Sequence, residues 1–298
     1  MSPYWRSTII GYWNESSTTM DRNVDFRKGI IVLSKEQIEK AAGDLHTAEK
    51  NSQQIQAVSQ THPDMSMDDA YAVQKTWMDL KVAEGRQVIG YKVGLTSRAM
   101  QMTMQIDEPD YGTLLNDMIF DDGSDIEVSR FRDPRIEVEL AFVLKDRLEG
   151  ENVSIFDVLN ATDYVIPALE LIAARSYRID PENGYVRKIF DTISDNAASA
   201  GIIMGGRPIK PMEMDLRWAG ALLYRNGVIE ETGLAAGVLN HPANGIAWIA
   251  KRFSPHGIAL EPGQILLSGS FTRPVIARAG DTFHADYGPL GGISCHFT

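Results

Sequence analysis

The stretch RIEVELAFVL, residues 135–144, alternates with the period of a strand. Residues two apart share one face of a strand. Ile136, Val138, Leu140, Phe142 and Leu144 then form a wholly apolar face. Arg135, Glu137, Glu139, Ala141 and Val143 form the other, which begins charged and ends apolar. Such a strand runs from an opening into a core, with two carboxylates at the opening. Further on, DYVIPALEL (163–171) sets Glu170 inside a second apolar run. A buried lone carboxylate is very costly unless it is paired or metal-bound. Three glutamates in hydrophobic strands call for a shared counter-charge. A hard divalent cation, Mg²⁺ or Mn²⁺, suits an all-oxygen shell. A salt-bridged or solvated pair, with Arg135 as the obvious partner, stays open as the competing reading.

The second cluster is GYKVGLTS, residues 90–97. Lys92 alternates into an otherwise apolar strand between Gly90 and Gly94, where burial would lower its pKa and suit it to proton transfer. An edge lysine reaching solvent is the alternative. DEPDYGTLL (107–115) places Asp110 beside Pro109 and Gly112 and reads as a loop folding over a pocket. FDTISDNAASAG carries Thr192, Ser194, Asp195 and Asn196, and GSFTRP carries Ser270 and Thr272. Small hydroxyl residues beside glycine bring backbone N–H groups close to a carboxylate; ordinary turn chemistry explains them equally well. ARSYRIDPENGYVRK (174–188) gathers Arg175, Arg178, Arg187 and Lys188, a candidate grip for an anion or a solvated basic loop.

Around these clusters the chain punctuates clearly. A capping box from Ser34 to Gln37 opens a helix. MSMDDAYAVQKTWMDLKVAEG forms a second, with Gly85 as its stop. Asn226-Gly227 between alternating runs marks a hairpin, and NHPANGIAWIAKRF forms a late helix with Pro242 at its first position and His241 as a cap. Few helices and irregularly spaced strands give an α+β fold, not a doubly wound sheet.

Bulk properties exclude whole classes. A net charge of −11 over 298 residues argues against nucleic acid and anionic membrane as partners. No apolar run reaches the roughly 18–20 residues a membrane helix needs. A single cysteine, Cys295, rules out a disulfide framework and fits a reducing cytoplasm. Six histidines lie without ligand spacing, and His284 and His296 sit in strand runs. There is no P-loop, GxGxxG, HExxH or GxSxG.

Taken together, GYKVGLTS, EPDYGTLL, PRIEVELAFVL, DYVIPALELI, FDTISDNAASAG, NGVIEETG, LNHPANGIAWIA and GSFTRP resemble the fumarylacetoacetate hydrolase superfamily, in its branch of 2-oxo acid hydratases and decarboxylases of aromatic meta-cleavage catabolism. The resemblance implies a mixed β-sandwich roll preceded by a small helical region. It divides the chain into an extension (1–33), a helical region (34–90) and a catalytic domain (91–298). It implies Glu137, Glu139 and Glu170 as ligands of Mg²⁺ or Mn²⁺, and Lys92 and Asp110 in acid/base work. The expected reaction is addition of water to a 2-oxo-4-ene dicarboxylate, with 2-oxo-4-pentenoate hydration or 4-oxalocrotonate-type decarboxylation as alternatives. Arg175, Arg187, Ser194, Ser270 and Thr272 are the expected substrate contacts. A cytoplasmic homo-oligomer built from dimers, with a pathway decarboxylase as possible partner, completes the expectation. The resemblance starts near Val32, so a native start there, with the upstream residues a mis-called extension, is a further expectation; mass spectrometry of the native N-terminus decides it.

Overall fold

Ser34 opens the first helix as its neighbours require. In the computed structural model, which describes residues 31–104 and 106–298, Ser34 Oγ accepts from Gln37 N, and Gln37 Oε1 accepts from Ser34 N at 2.8 Å. Residues 1–30, most of the N-terminal extension, lie outside the described residues. The helices are α1 (Lys35–Lys50), α2 (Val58–Thr61), α3 (Met67–Ala83), α4 (Arg98–Met104), α5 (Ile155–Ala161), α6 (Ile189–Ser194) and α7 (Ala243–Phe253). Helix α3 repeats the capping logic with Ser66 and Asp69. Asp69 also accepts from the backbone N–H of Val32 and Leu33, tying the chain ahead of α1 to α3.

The strands are β1 (Val88–Gly94), β2 (Asp110–Leu115), β3 (Ile119–Phe120), β4 (Asp125–Ile126), β5 (Arg135–Leu144), β6 (Thr162–Ile172), β7 (Ser199–Met204), β8 (Gly220–Arg225), β9 (Val228–Leu234), β10 (Ile265–Leu267), β11 (Val275–Ile276), β12 (Thr282–Asp286) and β13 (Gly292–Phe297). They form two sheets. The larger runs β2-β1-β10-β5-β6-β7-β3, with β11 on β5, and the smaller runs β4-β13-β12-β8-β9. Both parallel and antiparallel pairs occur in each. The expected α+β sandwich with a helical region ahead of it is the observed architecture.

Strand β5 is covered on both faces. Ile136, Val138, Leu140, Phe142 and Leu144 pack with Phe283, Cys295 and Phe297 of the small sheet and Ile246 and Ile249 of α7. Each such fully buried side chain contributes about 1.5–3 kcal/mol. On the opposite face Ala141 and Val143 join Ala168, Ile202, Met204 and Leu267 in a separate apolar cluster. The charged start of that face therefore ends on an apolar floor. Tyr287, just past β12, clamps the sheets together. Its hydroxyl donates to Ala168 O at 2.6 Å and lies 3.0 Å from Glu139 O.

Two local expectations shift by small amounts. Pro242 precedes α7 as its cap residue instead of occupying the first helical position, and His241 Nδ1 accepts from Ala243 N at 3.1 Å. FDTISDN, whose residues ordinary turn chemistry would also explain, contains α6. Its end bends through Asn196, Ala197 and Ala198, three consecutive residues with φ between 49° and 60°. Asn196 fixes that bend by pairing both amide atoms with the Thr113 backbone, at 2.7 and 2.9 Å, along the edge of β2.

Candidate active site

The register of the large sheet assembles the acidic cluster. Glu137 of β5 lies directly opposite Glu170 of β6, and Glu139 follows on the same face. One carboxylate oxygen from each of the three lies within 4.8 Å of the others. Glu139 and Glu170 are 1% exposed, and Glu137 is partly buried. Glu139 Oε2 accepts from Gly269 N at 2.8 Å, but neither oxygen of Glu170 has a hydrogen-bond partner. Arg135 turns away to Asp133. Arg135 is therefore not the partner of the glutamates; the cation that meets them is Lys92.

Lys92 and Asp110 meet this cluster from β1 and β2. Their pairing sets Lys92 opposite Gly112 and Asp110 opposite Gly94. A Cβ on Gly94 would overlap Asp110 Oδ1 and approach Lys92 Nζ to 3.2 Å. The two glycines thus make the room in which Lys92 and Asp110 sit side by side. Lys92 Nζ reaches Glu170 Oε1 at 3.5 Å. Asp110 is 2% exposed, and both its carboxylate oxygens lack a hydrogen-bond partner. It begins a strand instead of riding on a loop, because its β2 backbone is pinned to β1.

The charges in this corner do not balance: four carboxylates face one ammonium. Burial, followed by the field of Glu170, pushes the Glu137 carboxyl up to about 7. Burial and its acidic neighbours lift Glu139 well above the usual range, and burial lifts Glu170 and Asp110. Lys92 departs from expectation. Burial pulls its pKa down, but Glu170, Asp110, Glu137 and Glu139 outweigh burial and leave it raised, so the ammonium stays charged. The donor set fits a divalent cation. It is all oxygen, three of its carboxylates converge on one point, and the excess negative charge is what such an ion neutralises.

The cluster opens into a cavity of about 800 Å³. Leu95, Thr96 and Met100, Ile172, Ile179 and Val186, and the loop through Ser270, Thr272 and Arg273 line it. Ser270 and Thr272 reach the cavity as expected. Their side chains also brace the loop: Ser270 Oγ donates to Thr272 O at 2.9 Å, and Thr272 Oγ1 accepts from Val138 N. Arg178 and Arg187 line the cavity, and Arg175 does not. The Arg175 guanidinium is spent on Asp195 Oδ1 at 2.6 Å and on the carbonyls of Asp195 and Ser199, against the face of Trp77. Ser194 is buried outside the cavity lining, and Thr192 takes the place expected for it. His284 and His296 bond Ser294 and Thr282 on an exposed face of the small sheet.

The sequence set Gly94 beside Lys92 without giving it a role, and it pointed to the glycine of GSFTRP as a place where a backbone N–H meets a carboxylate, which is what Gly269 N does with Glu139. The signal for Gly94 lay in its spacing two residues from Lys92, which puts it on the same face.

No family model matches the chain. The chain is 66% identical over 253 residues, 85% of its length and 95% of the relative's, to 2-oxo-hept-4-ene-1,7-dioate hydratase of Escherichia coli. Its fold superposes with a TM-score of 0.86 on 4-oxalocrotonate decarboxylase from Pseudomonas putida G7, complexed with magnesium and adipate. That match has 34% identity and covers 90% of this chain and all of that one. A protein from Yersinia pestis CO92 described as of the fumarylacetoacetate hydrolase family shares the fold at a TM-score of 0.52 and 16% identity, over 70% of this chain and 92% of that one. The chain belongs to the hydratase and decarboxylase branch of the fumarylacetoacetate hydrolase superfamily.

Proposed function

We propose that the protein is a divalent-metal-dependent hydratase that adds water to 2-oxo-hept-4-ene-1,7-dioate, giving 4-hydroxy-2-oxo-heptane-1,7-dioate. The observation that carries this reading is the buried meeting of Glu137, Glu139 and Glu170 with Lys92 and Asp110 at one end of the cavity. The 66% identity to a hydratase of that substrate supports it. Glu137, Glu139 and Glu170 would hold Mg²⁺, with Mn²⁺ the chemically nearest alternative. A bound ion supplies positive charge that draws electron density toward the C2 oxygen and orients the 2-oxo acid end.

The residues then divide the proton work. Asp110, its oxygens unpartnered, accepts the proton lost from C3. Charged Lys92 delivers a proton to C5, leaving a C3–C4 double bond conjugated to the C2 carbonyl. Water adds at C4 and gives its proton to the neutral amine of Lys92, while Asp110 returns its proton to C3. Both residues end as they began, and the substrate has gained one water. The apolar floor of Ala141, Val143 and Ala168 holds the carboxylates against relaxation.

Lys92→Ala is expected to lower kcat by about 10²–10⁴-fold, the range for a general acid or base. Near-normal turnover in a UV assay with Mg²⁺ would remove lysine from the mechanism. The likeness to a decarboxylase of the same scaffold makes product analysis the companion test, since release of CO₂ instead of a stable hydroxy-oxo acid sinks the hydratase assignment. The reading extends to aromatic catabolism in the cytoplasm and to a homo-oligomer built from dimers, with a pathway decarboxylase as a possible partner. Light scattering of the purified protein checks the assembly.

A further inference from the structure

The cavity that holds the acidic cluster also carries a second concentration of charge, of opposite sign. Residues 176–187 fold back on themselves. Ile179 bridges to Val186, Arg187 N donates to Arg178 O at 3.0 Å, and Asp180 closes the turn by accepting from Glu182 N and Asn183 Nδ2. This register sets Arg178 beside Arg187, and both line the cavity. Each is held from behind by one carboxylate. Arg178 Nε donates to Asp133, and Arg187 Nη1 lies 3.4 Å from Asp195 Oδ2.

That backing is incomplete. Asp133 is shared with Arg135 at 3.1 Å, and Asp195 is shared with Arg175 at 2.6 Å. Arg178 Nη2 is buried without a hydrogen-bond partner. Burial, and then repulsion from Arg178, pulls Arg187 down to about 10. Two guanidinium groups so close together, Arg187 buried and Arg178 about three-quarters buried, call for another anion. The cavity's own nearby acid, Glu231, is already paired with Arg273 at 2.7 Å.

We propose that Arg178 and Arg187 form the seat for the substrate's second carboxylate, with Asp133 and Asp195 as positioning residues behind them. The identity of that substrate rests on the hydratase reading; the preference for a dicarboxylate does not. The 2-oxo acid end takes the glutamate side of the cavity. The far carboxylate takes the arginines, with Ile179 and Val186 flanking the methylene groups between. Arg175, spent within the fold, takes no part.

The test compares kcat/KM for 2-oxo-hept-4-ene-1,7-dioate with that for 2-oxo-4-pentenoate, which lacks the far carboxylate. Arg187→Gln and Arg178→Gln are expected to lower the ratio of the two by about 10–100-fold, the worth of a charge-assisted hydrogen bond, mainly through the KM of the dicarboxylate. Arg187→Lys recovers part of the ratio. Asp133→Asn raises that KM more than it lowers kcat. Parallel losses on both substrates, or an unchanged ratio, overturn the proposal. Calorimetric binding of adipate against pentanoate to the Mg²⁺-loaded protein gives a readout without turnover. Tighter adipate binding that Arg187→Gln erases upholds the seat even where no hydration is seen, in which case the hydratase reading alone falls. Equal binding of the two acids by the unmodified protein overturns the seat.

Discussion

Glu139 shows how one buried side chain ties stability to pH. It is 1% exposed, and its carboxylate faces Glu137 and Glu170 with one backbone N–H for support. Alternation along residues 135–144 revealed that Glu137 and Glu139 share a face. It said nothing of Glu170, whose place opposite Glu137 depends on a pairing between strands. Lys92 was legible as a buried lysine but not as a charged one, because its state is set by four carboxylates from three other strands. The electrostatics lead to a prediction for the metal-free protein. Glu137, raised to about 7 from the ordinary 4.5, keeps its proton longer in the folded state than in the unfolded chain. This contribution is full below about pH 4.5 and is lost as the pH rises through 7. The loss is about 1–3 kcal/mol, moderated because water reaches part of Glu137. Glu139→Gln removes one of the repelling charges. It should stabilise the metal-free protein at pH 8 by about 1–3 kcal/mol and weaken Mg²⁺ binding by at least about tenfold. Urea denaturation with chelator and calorimetry with Mg²⁺ measure the two effects. A destabilised metal-free variant would contradict the account.

At the scale of elements, local signals were legible and distant ones were not. The capping boxes of α1 and α3 act within three residues, and the Asn226-Gly227 turn of the β8–β9 hairpin carries its own positive φ angles of 54° and 80°. Asp110 was misread as a loop residue because its strand exists only through β1. The β1–β2 pair is also where a structural change can be separated from a chemical one. Gly94 has no positive φ, so an alanine there strains no backbone. Its methyl group would instead displace the Asp110 carboxylate. Gly94→Ala is therefore expected to lower kcat by at least about tenfold while changing stability by less than about 2 kcal/mol. A thermal melt beside a rate measurement checks both halves. Full activity in a stable variant would show that Asp110 can take another position and still work.

Across the whole molecule, the boundary drawn at residue 90 falls inside β1 and does not separate cores. Leu45 of α1 and Val73, Trp77 and Met78 of α3 share one apolar cluster with Leu115 of β2, Met118, and Ile189 and Ile193 of α6. Gln74 Nε2 donates to Tyr111 O at 2.8 Å and to Ile193 O at 3.0 Å, and Tyr71 stacks on Tyr111 at 4.6 Å. Trp77, 1% exposed, also carries the guanidinium of Arg175 on its face, 5.0 Å from the ring centre. Arg175 holds Asp195, and Asp195 backs Arg187 in the cavity. The change of texture after Gly85 and the resemblance made a boundary look natural, whereas the shared side chains are invisible without the fold. The helical region and the strands should then melt as one unit. Trp77→Ala is expected to cost about 3–5 kcal/mol and to lower a single transition followed equally by far-UV circular dichroism and calorimetry. Two resolved transitions, with only the earlier one moved by the substitution, would show that the helices fold as a separate body and that the chain from Trp77 to Arg187 carries no load.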